Sequence, residues 1–217
     1  MQEPVVFYEE IKKGKKSVLK ETSLKKPNET VKFFYKEEFR SLIENIGNNF
    51  HKFLFLFIYE TGSRISEALS VTYADIDDAS LRVRIPVLKQ KRKIYKFIKI
   101  SDKLLSMILS RRITGNFDKS DYLFARFKNK RHISRQAADR IFAKYVKNIL
   151  GERYLDRAHL HAIRHSRAVH LLDSGMNIML LKNFLGHSNI SNTLIYLKYS
   201  SKDLDNAIDQ ANSDFFD

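Results

Sequence analysis

Apolar residues recur at helical spacing along most of this chain, and this periodicity constrains its fold more than any other feature. In residues 36–46 they are three or four positions apart, which predicts a helix with one apolar face. The segment 50–59 is more apolar and predicts a second helix, which Thr61 and Gly62 interrupt. A short third helix is predicted in the segment RISEALSV, so the folded part begins as a helical protein.

Two segments rich in β-branched and aromatic residues, LRVRIPV and KIYKFIKI, break the helical pattern and predict the strands of a hairpin. Ser101 and Ser134 are predicted N-caps of two longer helices, the second of which ends before Gly151. Short helices are then predicted over residues 159–174, 178–185 and 191–199. We therefore predict a mainly α fold with a small antiparallel β-hairpin or sheet.

The two ends of the chain differ in composition from the segment between them. Residues 1–30 are rich in lysine and glutamate without a sustained apolar period, which is typical of a basic arm or an interdomain linker. The folded domain is expected over residues 31–200. Residues 201–217 combine an apolar stripe with acidic residues, which predicts an amphipathic tail that avoids DNA and docks on protein.

Charge narrows the choice of partner. The chain has 39 Lys and Arg against 25 Asp and Glu, a net charge of +14 that favours a polyanion and, among polyanions, nucleic acid. The absence of cysteine excludes thiol chemistry and fits a cytoplasmic protein. The apolar run FLFLFIY is too short to span a bilayer, and the N-terminal residues lack the apolar core of a signal peptide. We therefore expect a soluble protein with no membrane partner.

The stretch HLHAIRH, residues 159–165, has three competing interpretations. His161 and His165 are four positions apart, the spacing of a zinc site, but no glutamate lies between them and Arg164 would repel a metal ion. His159 and His170 are more typical of hydrogen-bonded packing residues. His161 and Arg164 are three positions apart on one helix face, where an imidazole and a guanidinium can together bind a phosphate.

Other segments of the chain support a phosphate-binding role for His161 and Arg164. The segments ETGSRISEAL, HAIRHSRAVHLLDSG and LLKNFLGHSNISNTLIY follow one another in order. Together they resemble the tyrosine recombinase or phage integrase family, particularly its Xer-like members, over residues 33–200. The spacing also resembles that of the family, since His187 follows Arg164 by 23 positions and Tyr196 follows His187 by nine. The resemblance implies the catalytic domain fold of that family.

This resemblance implies an enzyme whose tyrosine attacks a DNA phosphodiester and forms a 3′-phosphotyrosyl link. Tyr196 is the implied nucleophile, and Arg64 and Arg164 would bind the non-bridging oxygens of the transition state with bidentate, permanently charged donors. His161 would be a third donor or would help to remove the tyrosine proton. His187 would be a further donor to the same phosphate.

The family protonates its leaving group with a lysine in the hairpin turn. Counting back from the end of the second strand gives Lys91, with Lys89 and Lys93 as alternatives, because the usual Gly-Lys-Gly is replaced by KQKRK. Glu67 is expected to orient a catalytic neighbour, although a salt bridge on the helix surface is the ordinary alternative. His165 matches a second histidine of the family box and is expected to be structural or supporting.

Two further positions bear on these assignments. Tyr199 is a competitor for the nucleophile, but the interval from His187 favours Tyr196. Leu160 stands where many relatives have proline and leaves the donors intact. The chemistry that the resemblance implies needs no metal and no cofactor.

We therefore predict a site-specific DNA recombinase acting on double-stranded DNA in the nucleoid, as a homotetramer or an Xer-type heterotetramer. The alternatives are a type IB topoisomerase-like relaxase and a catalytically silent DNA-binding relative. Residues 1–30 are too short for the N-terminal domain that completes the family's DNA clamp. We expect either a catalytic-domain fragment, monomeric in solution, or a short integrase.

Overall fold

The computed structural model describes residues 31–88, 94–127 and 130–199. Eight α-helices of four to fourteen residues, together with 3₁₀ and π-helical turns, form most of the described chain. Their bounds are α1 Lys36–Glu44, α2 Asn49–Thr61, α3 Ile65–Leu69, α4 Asp102–Thr114, α5 Arg135–Tyr145, α6 Leu160–Asp173, α7 Ile178–Leu185 and α8 Ser191–Leu194. Helix α5 continues into the π-helical turn Val146–Leu150, and 3₁₀ turns lie at Tyr73–Asp75, Glu152–Arg157 and Ile195–Tyr199.

A small antiparallel sheet interrupts the helices. Its strands are β1 Ile76–Asp77, β2 Arg82–Pro86 and β3 Tyr95–Lys99, in that spatial order. In the central register Val83 pairs with Ile98 and Ile85 pairs with Lys96, and all four side chains are buried. One face of the sheet therefore packs against the helices while the other is exposed.

The predicted mainly α fold with a small antiparallel sheet is confirmed. Ser101 and Ser134 cap α4 and α5 as predicted, since each hydroxyl accepts a hydrogen bond from the backbone N–H three residues later. Strand β1 was not predicted, because two residues are too few to show an alternating pattern. The predicted arm 1–30, hairpin turn and tail 201–217 lie outside the described residues.

Two clusters of apolar side chains form the interior. The larger cluster joins α1, α2, α4 and α5 to the inner face of the sheet. The smaller cluster packs Phe33 and the apolar faces of α6 and α7 around Tyr196. No helix in the described part of the chain is both long and apolar enough to cross a membrane.

Candidate active site

The TGSR segment contains the end of a helix and leads directly into Arg64, a candidate site residue. Helix α2 ends at Thr61, and Gly62 follows with a left-handed φ of 55°. A Cβ atom at Gly62 would clash with the ring of Phe184, so glycine allows both the turn and the close approach of α7. Arg64 then occupies the N-cap position of α3.

Glu67 binds Arg64 twice, through its backbone and through its side chain. Its carboxylate accepts from the backbone N–H of Arg64 at 2.9 Å and from Nη1 at 2.8 Å. The Glu67 side chain is 1% exposed, whereas that of Arg64 is 17% exposed. The same carboxylate lies 3.8 Å from Nη1 of Arg164. The ion pair is therefore buried between two arginines, unlike the surface salt bridge that was the alternative.

Arg164 lies on α6 with its guanidinium almost completely buried, at 2% exposure. It donates from Nη1 to the carbonyl oxygen of Gly62 at 2.6 Å and from Nη2 to that of Leu185 at 2.8 Å. Burial, and then the charge of Arg64, lowers the pKa of Arg164 to about 10, so it stays charged at neutral pH. Arg164 thus connects the ends of α2 and α7.

His187 lies just beyond the end of α7, which, like the end of α2, is followed by a glycine in the left-handed conformation. Helix α7 ends at Leu185, and Gly186 has a left-handed φ of 68°. Nε2 of His187 lies 2.9 Å from Nη2 of Arg164, and Nδ1 lies 3.0 Å from Oγ1 of Thr193. Burial, and then the charge of Arg164, lowers the pKa of His187 to about 3. Because a guanidinium only donates, Nε2 accepts and the proton of the neutral ring lies on Nδ1.

Tyr196 is buried, with 1% of its surface exposed. Its hydroxyl oxygen lies 2.8 Å from Nδ1 of His165, which is the histidine that follows Arg164. Burial raises the pKa of Tyr196 to about 12, and the charges of Arg164 and Arg64 act in the opposite direction. Burial, and then the charge of His161, lowers the pKa of His165 to about 3, so its ring is neutral.

The structure separates Tyr196 from its competitor. The hydroxyl of Tyr199 accepts a hydrogen bond from the backbone N–H of Val31 at 2.8 Å, and its ring packs edge-on against Phe33 at 5.5 Å. Tyr199 therefore holds the first of the described residues in place, while Tyr196 lies among the candidate catalytic side chains.

His161 faces outward from α6, and its ring centre lies 5.6 Å from that of His165. Desolvation, and then the charges of Arg164 and Arg64, lowers the pKa of His161 to about 4 despite its exposed surface. A neutral, exposed imidazole close to two arginines is suited to contact a bound phosphate. In the described part of the chain, no group of three or more His, Cys, Asp or Glu residues could hold a metal ion.

The other two histidines of this region have structural roles. His159 is the N-cap of α6, and its Nδ1 accepts from the backbone N–H of Ala162. Nε2 of His170 donates to the carbonyl oxygen of Phe34 at 2.9 Å, and Nδ1 accepts from the hydroxyl of Tyr59 at 2.9 Å. Both histidines thus satisfy hydrogen bonds within the protein, as the packing interpretation predicted.

Of the predicted site residues, Lys91 and its alternatives Lys89 and Lys93 lie outside the described residues. The structure adds Lys96, which sequence reasoning missed. Its side chain points inward from β3, and Nζ donates to the carbonyl oxygens of Thr61 at 3.0 Å and Phe184 at 3.1 Å. The sequence did contain a signal for this position. Side chains alternate between the two faces of a strand, so Lys96, two positions before the apolar Ile98, lies on the same inward face.

These side chains share one electrostatic environment, in which Arg64, Arg164 and Lys96 surround the buried carboxylate of Glu67. Since positive groups outnumber this carboxylate, the site favours an anion with several acceptor oxygens. A neutral phenol lies in the same field. The arrangement can bind a phosphodiester and supply a nucleophile to it.

Comparison with known proteins agrees with this chemistry. The model of the phage integrase family matches residues 32–202. Tyrosine recombinase XerA of Pyrococcus furiosus is 33% identical over 194 residues, which are 86% of this chain and 64% of the relative. Tyrosine recombinase XerC of Staphylococcus carnosus is 28% identical over 79% of this chain and 58% of its own length. The chain thus spans less than two thirds of the length of these relatives.

Two solved structures share the fold. The XerH site-specific recombinase, crystallised with a palindromic difH substrate, matches with a TM-score of 0.69 and 19% identity, over 88% of this chain and 55% of that one. The catalytic domain of bacteriophage HP1 integrase matches with a TM-score of 0.61 and 23% identity, over 83% of this chain and 95% of that one.

Proposed function

Because this chain belongs to the phage integrase family, we propose that it is a site-specific DNA recombinase that cleaves and rejoins strands through Tyr196. The phenolic oxygen bonds to phosphorus, the bond from phosphorus to the 5′-oxygen breaks, and that oxygen takes up a proton. The 3′-phosphotyrosyl link retains the bond energy, so that the 5′-hydroxyl of another strand can attack it and restore a phosphodiester. No outside energy source is needed.

One observation carries the proposal: the tyrosine hydroxyl is buried beside two arginines. Tyr196 has a pKa of about 12, and Arg164 and Arg64 are the charges that oppose this rise. A phenol with such a pKa is neutral at pH 7 and becomes a nucleophile only as its proton leaves. The positive field of these arginines favours the phenolate, and the same field would stabilise a pentavalent phosphate.

The two arginines differ in exposure, and each would contribute to phosphate binding in a different way. Arg64 is the more exposed, and its ion pair with Glu67 holds the guanidinium in one orientation. Arg164 is held by two backbone carbonyls and contacts His187, which brings the imidazole to the same phosphate. For His187 to donate to the phosphate from Nε2, its contact with Arg164 must open and the ring proton must move from Nδ1 to Nε2.

A histidine beside the phenol supports proton removal within the protein. His165 is at hydrogen-bonding distance from the hydroxyl of Tyr196, so its Nδ1 is placed to accept the proton as the phenol attacks. Sequence reasoning gave His161 that task as one of two alternatives. In the described geometry His165 has the contact, and His161 is free to donate to the phosphate.

Protonation of the 5′-oxygen is assigned to Lys91. Lys89 and Lys93 are the alternatives. A substrate with a 5′-phosphorothiolate tests this assignment, because sulfur leaves without protonation. Cleavage by Lys91→Ala should recover on that substrate, whereas recovery by Lys89→Ala or Lys93→Ala alone would move the role to that lysine.

Double-stranded DNA is the proposed substrate. The net charge of +14 and the likeness to a recombinase crystallised with its DNA substrate support it. We extend the proposal to a tetramer on nucleoid DNA, homomeric or Xer-type, with residues 201–217 docking on a neighbouring subunit. Removing residues 201–217 should impair synapsis more than cleavage, and unchanged synapsis would contradict the docking.

Covalent capture on DNA tests the function without knowledge of the target site. The purified chain is incubated with nicked duplexes of randomised sequence, in which cleavage near the nick releases a short fragment and traps the adduct. Denaturing electrophoresis should reveal a protein–DNA band in the wild type, and sequencing of the trapped DNA identifies the site.

Two variants in one 3₁₀ turn make the test specific. Tyr196→Phe should abolish the adduct, whereas Tyr199→Phe should retain it because Tyr199 binds the backbone of Val31. A band that persists in Tyr196→Phe would refute the nucleophile. A wild type without any band would instead indicate the catalytically silent alternative.

A further inference from the structure

Two helix ends carry the residues that bind the phosphate in the proposed reaction. Helix α2 ends at Thr61 before Arg64, and α7 ends at Leu185 before His187. The last carbonyls of a helix have no intrahelical partner and lie at the negative end of its dipole. These carbonyls must therefore find donors, and cationic donors suit them best.

Arg164 and Lys96 satisfy these carbonyls in parallel. Arg164 donates to Gly62 and Leu185, and Lys96 donates to Thr61 and Phe184, which are the preceding residue in each case. Each cation therefore connects α2 to α7. Four donor–acceptor distances between 2.6 and 3.1 Å define this double bridge.

Lys96 is buried against the ring of Phe184. It is 8% exposed, and its Nζ lies 5.5 Å from the ring centre of Phe184. That ring also packs directly against Gly62. The lysine and the glycine therefore both contact Phe184, where the ends of α2 and α7 meet. Strand β3 thus contributes one side chain, that of Lys96, to the candidate site.

We propose that Lys96 is a positioning residue of the site, which sets the separation of Arg64 and His187 by joining the carbonyl ends of α2 and α7. The inference rests on the proposed function. It is distinct from the general acid, because both hydrogen-bond acceptors of Lys96 are backbone carbonyls. Its action on the reaction passes through the two helix ends.

The charges around Lys96 agree with this role. Arg64 and Glu67 face it from the start of α3, Arg164 faces it from α6, and His187 faces it from the end of α7. Burial, and then the charge of Arg164, lowers the pKa of Lys96 to about 7. Both the ammonium and the amine have the two N–H groups that the carbonyls require. The bridge therefore persists when the lysine loses its proton.

The test compares Lys96→Met with Lys99→Met in single-turnover cleavage of the captured site at saturating protein. Both variants lose one lysine from β3, but Lys99 is exposed on the opposite face. We expect Lys96→Met to slow cleavage roughly 10- to 100-fold, because small misplacements of reacting groups have effects of this size. DNA affinity at fixed salt should fall no further than in Lys99→Met.

Two conditions separate positioning from acid catalysis and from folding. A 5′-phosphorothiolate substrate should leave the Lys96→Met defect unchanged, and recovery on that substrate would overturn the inference by making Lys96 the general acid. Lys96→Arg retains N–H donors and should cleave faster than Lys96→Met. If Lys96→Met does not fold, a folded Lys96→Arg that is as slow as predicted for Lys96→Met would contradict the bridge.

The outcome also distinguishes this inference from the proposed function. If the wild type forms no covalent adduct with DNA, both the proposed function and the role of Lys96 are refuted. If the wild type forms the adduct but Lys96→Met and Lys99→Met cleave at equal rates, only the role of Lys96 is refuted.

Discussion

The hydroxyl oxygen of Tyr196, whose side chain is almost completely buried, lies 2.8 Å from Nδ1 of the half-buried His165. The buried hydroxyl and the imidazole satisfy each other. Removing either partner alone leaves a buried polar group without its hydrogen bond, which costs about 1–3 kcal/mol.

A double-mutant cycle measures this contact. Tyr196→Phe and His165→Leu should each lower the free energy of unfolding, and the double variant should lose less than the sum, with a coupling of about 1 kcal/mol. Urea unfolding of the four proteins supplies the values. Additive losses would mean that the two side chains do not interact in solution.

Glu67→Gln should destabilise the protein by about 3 kcal/mol, because it removes the buried carboxylate shared by two arginines. Inorganic phosphate should raise the melting temperature of the variant more than that of the wild type, since an anion can replace the lost charge. The exposed Glu44→Gln is the matched control. Equal phosphate responses in all three proteins would argue against an anion site beside Glu67.

The two glycines that end α2 and α7 should respond differently to alanine. Gly186→Ala adds left-handed strain, roughly 1–2 kcal/mol, and a tight contact at 3.3 Å that a small shift of the Val87 side chain can relieve. Gly62→Ala adds the clash with Phe184 to the same strain and should cost roughly 1–3 kcal/mol more. Phe184→Leu should recover part of the loss in Gly62→Ala, as judged by urea unfolding, and no recovery would refute the clash.

Acid should weaken the fold through the histidines of the site. The pKa of His165 and of His187 is lowered from 6.5 to about 3 in the folded state, so below pH 6.5 the unfolded chain binds more protons. Stability therefore falls as pH decreases, by about 2 kcal/mol for each such histidine between about pH 6.5 and 5.

Unfolding curves at about pH 7.5 and 5 test the acid effect. His165→Leu should lose less stability on acidification than the wild type, whereas the exposed control His132→Gln should behave like the wild type. A pH dependence unchanged in His165→Leu would show that His165 is not held neutral.

The sequence by itself determined the features that depend on near neighbours. Helical periodicity identified the helices, and Ser101 and Ser134 were recognisable as caps because a cap hydroxyl binds a backbone group three residues away. The order of the boxes also indicated the family, and the interval from His187 selected Tyr196. The structure brings Arg64, His161, Arg164, His187 and Tyr196 into one region, although their catalytic roles stay predictions.

Only the tertiary structure decided which groups contact across the site. Lys96 binds Phe184 across 88 positions, and His165 reaches Tyr196 across 31. The strand register that turns a lysine inward and the burial that encloses Glu67 arise from packing between distant segments. Local propensity carries no information about such contacts, because their energy comes from excluding water between surfaces that meet only in the folded chain.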